Sequence, residues 1–165
     1  MKRERGIYVV EFAIIGVLLF VLLFAVIEMG RLYFTVNTLN ETVRRGARLA
    51  AVCDISDPLV LRRAIFNAAD DSGGSSLIMN LDTADLSLIY LDADGVQVLS
   101  PSDTSGNDGF RAIRYVQLRV DNFTFDLLIP VFGRQLTLPS FRATLPRESL
   151  GRHAEEGVVP EITPC

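Results

Sequence analysis

One carboxylate, Glu11, interrupts a run of apolar residues that begins at Ile7 and ends at Ile27. Placing a charged carboxylate in hydrocarbon is costly at mid-span and less so near an end, so such residues tend to carry a partner and a role. No basic side chain lies three or four positions away: Ile7, Tyr8, Ile14 and Ile15 occupy those places. A partner appears if the chain is cut after Gly6. The new α-amino group of Ile7 then lies one helical turn from Glu11. It can neutralise that carboxylate in its own chain or, better, in a neighbouring copy. The alternative is that Glu11 lies at headgroup level and snorkels.

The remaining candidates for chemistry are sparse. His153 is the only histidine and lies in the polar tail GRHAEEGVVPEITPC, without the company that acid–base or metal chemistry needs. No GxSxG, Walker or GxGxxG pattern is present. DADG at 92–95 resembles half of a calcium loop, as does DTSGNDG at 103–109 more loosely, but neither has the glycine and distal glutamate of an EF-hand loop. Turn chemistry accounts for both. The reading is therefore no enzyme, no catalytic residue, no metal and no cofactor.

Two cysteines, Cys53 and Cys165, are present, and Cys165 is the last residue. An even pair in an exported domain suggests one disulfide. It would close a loop of about 110 residues, worth roughly 4–5 kcal/mol in the chain-entropy model.

These residues must be positioned by a small set of elements. The chain has 165 residues and a mean hydropathy of +0.31, with the apolar excess concentrated near the start. The 21 residues Ile7–Ile27 reach roughly 30 Å as a helix, the thickness of a bilayer core. Lys2, Arg3 and Arg5 precede this run, which by the positive-inside rule keeps the N-terminus cytoplasmic and exports the chain beyond Ile27. Residues 1–52 carry seven Lys/Arg against four Glu, whereas residues 53–165 carry nine Arg against sixteen Asp/Glu. That acidic second part argues against nucleic-acid binding.

Beyond Glu28 the helical pattern continues. Met29, Leu32, Val36, Leu39, Val43, Ala47 and Ala50 form one apolar stripe at helical spacing. Arg31, Thr35, Asn37, Glu41, Arg44, Arg45 and Arg48 fall on the other face, with Glu41 and Arg45 at pairing distance i,i+4. No proline interrupts residues 7–52, so the reading is one helix of about 45 residues, apolar all round in its first half and amphipathic in its second. Gly30 and Gly46 weaken it locally by up to ~1 kcal/mol each.

Asp57 and Pro58 start a short second helix, with Leu61, Ala64, Ile65 and Ala68 as its buried stripe. Strands come next. Leu86–Leu91 and Val96–Leu99 flank DADG as a hairpin. In RYVQLRV, Val116, Leu118 and Val120 alternate with polar neighbours. Residues 123–132 and 135–145 supply further strand material, broken by Pro130, Gly133 and Pro139. The fold class is α+β.

The beginning of the chain, KRERG, IYVV, EF and AIIGVLLFVLLFAVI, resembles a prepilin cleavage and assembly signal. The continuation IEMGRLYFTVNTLNETVRRGARLAAV is similar to the TadE-like family of pseudopilins from tight-adherence (Tad/Flp) type IV pilus systems. Its E-x-G-R step is Glu28, Gly30 and Arg31. Its R-x-G-A-R-x-A-A stretch spans 44–51 and includes Arg45, Gly46 and Arg48. The resemblance is dense over residues 5–52; RATLPRES at 142–149 is reminiscent of the family's C-terminal strand.

The resemblance implies a pilin-like fold: a long N-terminal helix, its upper half transmembrane, packed on a small periplasmic domain with a short helix and an antiparallel sheet. Residues 1–6 become a leader that a prepilin peptidase removes between Gly6 and Ile7. Residues 7–52 become the long helix, with 7–27 in the membrane, and 53–165 the exported domain with its disulfide-tethered tail. Glu11, followed by Phe12, becomes the assembly carboxylate. The implied partners are other pilins or pseudopilins and the Tad inner-membrane assembly platform. The implied role is that of a minor pilin in assembly, priming or tip formation of a pilus used in adhesion and biofilm formation. The competing reading is a signal-anchored periplasmic binding domain that never enters a pilus. That reading expects an intact Gly6–Ile7 bond and a dispensable Glu11.

Overall fold

The computed structural model describes residues 5–165 apart from 56, 72, 105–106, 129–134, 153–161 and 163–164. A single helix, α1 (Arg5–Val52), runs unbroken for 48 residues, about 72 Å at the usual rise. Every side chain from Ile7 to Ile27 is exposed, apart from the half-buried position of Gly16. From Glu28 onward the helix docks on a domain. Leu39, Val43, Ala47 and Ala50 are fully buried, and Leu32 and Val36 pack partly against the same core. Burying a Leu or Val side chain contributes roughly 1.5–3 kcal/mol.

The expected stripe needs two corrections. Met29 belongs to the exposed surface. Thr35, assigned to the polar face, is buried, as are Thr38 and Thr42. Burial is tolerable because each hydroxyl donates back to the carbonyl one turn earlier: to Arg31 O at 3.0 Å, Phe34 O at 2.8 Å and Thr38 O at 2.9 Å. Among the described residues no ion pair joins Glu41 to Arg45; the Arg45 guanidinium lies 5.2 Å over the Phe66 ring instead.

The second helix, α2 (Leu59–Ala64), is shorter than its pattern suggests. The cap position falls on Pro58, one residue later than expected, while Asp57 Oδ1 still accepts the Leu59 amide at 2.8 Å. Val60, Ala64 and Ile65 are buried, but Ala68 is exposed because the chain leaves the helix at Ile65 and Phe66 takes a positive φ of 68°.

Among the described residues five strands follow: β1 (Leu86–Leu91), β2 (Tyr115–Val120), β3 (Thr124–Asp126), β4 (Gln135–Thr137) and β5 (Phe141–Pro146). β1, β2 and β5 form an antiparallel sheet with β2 central, and β3 pairs with β4 as a separate ribbon. Val116, Leu118 and Val120 are fully buried, so the alternation in β2 places one face on the core. Residues 96–99 do not form the expected strand. Asp92 closes the turn, accepting the Asp94 amide at 2.9 Å and the Val96 amide at 2.8 Å. After a single bridge between Leu91 and Gln97 the chain departs, and β1 takes β2 as its ladder partner.

The end of α1 carries no glycine stop of its own. Its last carbonyls are satisfied by a segment a hundred residues away. Ala51 O accepts the Glu148 and Leu150 amides at 3.1 and 3.2 Å, and Val52 O accepts the Ser149 hydroxyl at 3.1 Å and the Gly151 amide. Gly151 sits at φ +70°, and a Cβ there would lie 2.6 Å from the Asp54 nitrogen. Only glycine meets both conditions. A disulfide joins Cys53 to Cys165, with 5.5 Å between the Cα atoms. The Cys165 amide also donates to Asp57 Oδ2 at 3.0 Å.

Candidate functional site

The residues singled out in the sequence divide into two groups along α1. Ile7, Glu11 and Phe12 lie on its free half, all exposed, and the Gly6–Ile7 bond falls within the first turn of the helix. Glu11 has no ion pair among the described residues. Its neighbours on the helix surface, one turn to either side, are Ile7, Tyr8, Ile14 and Ile15, all of them exposed and uncharged in side chain. A lone carboxylate thus marks one point on an apolar cylinder. The helix is long and apolar enough to cross a membrane.

The second group marks where the free half becomes the docked half. Glu28, directly after the apolar run, is only 9% exposed. Its Oε1 accepts from the Arg31 guanidinium at 2.9 Å, and its Oε2 accepts the Leu128 amide at 3.3 Å. Arg31 in turn lies 5.1 Å over the Phe125 ring of β3. A nearly buried carboxylate is tolerable because both oxygens are engaged. The E-x-G-R step therefore forms a clasp that fastens the domain to α1 at the first turn past the apolar segment. Gly30, between the clasp residues, meets nothing within 4 Å of where a Cβ would stand. It borders a cleft of about 310 Å³ shared with Phe34, Leu77, Met79 and the β3 strand.

Gly46 has a different reason to be small. A Cβ there would collide with the Leu118 side chain of β2 and stand 2.8 Å from the Ala64 Cβ of α2. Gly46 is thus the point where α1, α2 and β2 converge. Arg45 beside it covers Phe66, while Arg48 is exposed to solvent.

Sequence reasoning missed Leu128, Phe125 and Gly151. Their partners, Glu28, Arg31 and Asp54, lie about a hundred residues earlier in the chain, and no local pattern links such pairs. His153 lies outside the described residues. Among the described residues no group of three His, Cys, Asp or Glu side chains is placed to hold a metal ion.

A family model described as TadE-like protein matches residues 6–48. The match falls on the segment that carries the resemblance read from the sequence. It reaches from the glycine before the apolar run, through the clasp at Glu28 and Arg31, to Arg48 beyond the Gly46 crossing point. Comparison with curated proteins and with solved structures returns no match.

Proposed function

We propose, with the TadE-like match over residues 6–48 as premise, that this chain is a non-enzymatic minor pilin or pseudopilin of a Tad-type pilus. A prepilin peptidase removes residues 1–6. The mature chain is held in the inner membrane by residues 7–27, with its N-terminus on the cytoplasmic side and residues 53–165 in the periplasm. It then takes part in assembly, priming or tip formation of the pilus through its free helix half. Its partners are other pilins and the inner-membrane assembly platform.

The observation that carries this reading is Glu11, the lone carboxylate on the exposed apolar half, four residues after Ile7. Cleavage after Gly6 creates the one cation in reach of it. The α-amino group of Ile7 stands one turn away in the same chain, or opposes Glu11 in a neighbouring subunit whose helix is shifted along the axis. Pairing two charges that are each costly in lipid favours association over dispersal. Gly6 suits the cleavage position physically. Glycine lowers helix stability by about 1 kcal/mol, which eases opening of the first turn to a peptidase.

The experiment is the intact mass and N-terminal sequence of the protein from cells with and without a prepilin peptidase. The expected result is a chain beginning at Ile7 only where the peptidase is present. A chain retaining Met1–Gly6 in both overturns the reading and leaves a signal-anchored periplasmic binding domain in its place.

A further inference from the structure

We propose that the folded domain makes a second, shallow contact with the lipid surface, through the Leu77–Met79 turn and Leu128, next to the point where α1 leaves the bilayer. The inference rests on the reading of residues 7–27 as a membrane span.

Depth along α1 is the deciding quantity. The apolar run ends at Ile27, and Glu28 is the next residue. The Leu128 amide is held by Glu28 Oε2, so Leu128 lies within one side-chain length of the first residue past the span. Its side chain is nonetheless 61% exposed. Leu77 and Met79 line the cleft with Gly30 and Phe34, which lie three and seven positions beyond Ile27. At the usual helical rise that is about 5–10 Å past the end of the apolar run. The headgroup layer of one leaflet is itself roughly 5–8 Å thick. The turn therefore lies at headgroup depth.

The chemistry of the turn suits that depth. Leu77 is 49% and Met79 70% exposed, while Ile78 between them is buried in the core and holds the turn in place. Single exposed apolar residues are ordinary; two held side by side on a fixed turn at this depth suit a shallow lipid contact. Next to them Asn80 donates to Asp126 Oδ2 at 2.6 Å. The helix surface agrees on the level. Tyr8 and Tyr33, both 70% exposed, are 25 residues apart, about 38 Å, which lies between the roughly 30 Å hydrocarbon core and the roughly 40–45 Å full bilayer, where interfacial tyrosines sit. Tyr33 thus places the outer headgroups alongside Phe34 and the turn it faces. With α1 and these two points in the interface, the domain has three supports on the membrane and a fixed orientation to it.

The chain contains no tryptophan, so each engineered one is a unique reporter. Met79→Trp, Leu128→Trp, Phe24→Trp and Leu99→Trp are each introduced into the full chain and reconstituted in phosphatidylethanolamine/phosphatidylglycerol vesicles containing brominated lipid. Phe24→Trp reports the span. Leu99→Trp is the distal control, because Leu99 follows Val98, which packs with Ala50 some 35 Å beyond Ile27. The expected result is bromine quenching at positions 79 and 128 weaker than at 24 and stronger than at 99, with a blue-shifted emission. Quenching at 24 together with water-exposed, unquenched indoles at 79 and 128 overturns the inference and leaves the span standing. Absence of quenching at 24 removes the span, and the inference with it. Blue-shifted but unquenched indoles at 79 and 128 mean that a second copy covers the surface, which also overturns it. All three sites outside the span are exposed, so a folded variant is expected in each case, and circular dichroism of the same samples establishes it.

Discussion

The Cα of Gly46 in α1 faces the Leu118 side chain of β2 with no room for a methyl group between them, and the Ala64 methyl closes the same gap from α2. Both neighbours are fully buried, so neither can move aside freely. Gly46→Ala is expected to lower stability. Overpacking of about 1–3 kcal/mol outweighs the gain in helix propensity of up to ~1 kcal/mol. Gly30→Ala meets nothing and is expected to raise stability by up to ~1 kcal/mol. Urea unfolding of the two variants in detergent micelles distinguishes them. Equal shifts of the same sign would mean that helix propensity alone governs both positions.

The clasp just past the apolar run predicts a local effect. Glu28→Ala leaves the Leu128 amide and the Arg31 guanidinium without their acceptor, a cost of about 1–3 kcal/mol for buried groups. Hydrogen exchange at Leu128 and along β3 is expected to accelerate, with β1 and β2 unchanged. Glu28→Gln keeps an acceptor for the amide and should fall between the two. Protection of Leu128 unaltered in Glu28→Ala would show that β3 is held by Phe123 and Phe125 alone.

Tyr90 supplies a pH dependence. Burial, and secondarily the Asp54 carboxylate, pushes its phenol well above the ordinary value. The folded state therefore holds this proton more tightly than the unfolded chain does. The associated stability is present in full below the unfolded phenol value near 10 and is lost as pH rises above it. Urea midpoints measured between about pH 8 and 11 should fall on the alkaline side, and the fall should be shallower in Tyr90→Phe. The hydroxyl's contact with Ile55 O, 3.4 Å, is long, so the substitution itself costs little at neutral pH. An alkaline slope identical in both proteins would assign it to other groups.

The Cys53–Cys165 bridge spans a sequence separation of 112. Closing a loop of that length lowers unfolded-state entropy by the equivalent of about 4–5 kcal/mol in the chain-entropy model. Reductant should lower the thermal midpoint markedly. Cys165→Ser should show the lowered midpoint without reductant and no further response to it. A variant as stable as the oxidised protein would mean that the hydrogen bonds of residues 148–151 suffice to hold the domain on the helix end.

The parts of this architecture that repeat at short range are legible in the residues. The unbroken helix follows from a proline-free apolar stripe, and the inward face of β2 from the alternation of Val116, Leu118 and Val120. Thr35 escapes polar-face reasoning because its side chain satisfies itself against Arg31 O, a solution that removes the penalty such reasoning assumes. Residues 96–99 read as a strand because composition suits one, yet the strand that pairs with β1 begins at Tyr115. At the clasp, Glu28 and Arg31 stand out as a motif, but Leu128 and Phe125 do not. Their role depends on the chain returning to α1 after a hundred residues, and spacing in sequence carries no record of that return.

The bridge from Cys165 to Cys53 also defines a mechanical load path. Cys53 is the first residue past Val52, so a pull on Cys165 passes through one covalent link to the end of α1. The sheet and the β3–β4 ribbon lie outside that covalent path. A protein anchored by one end of this helix and pulled at the other would transmit force as a rod, with its folded domain carried as a passenger.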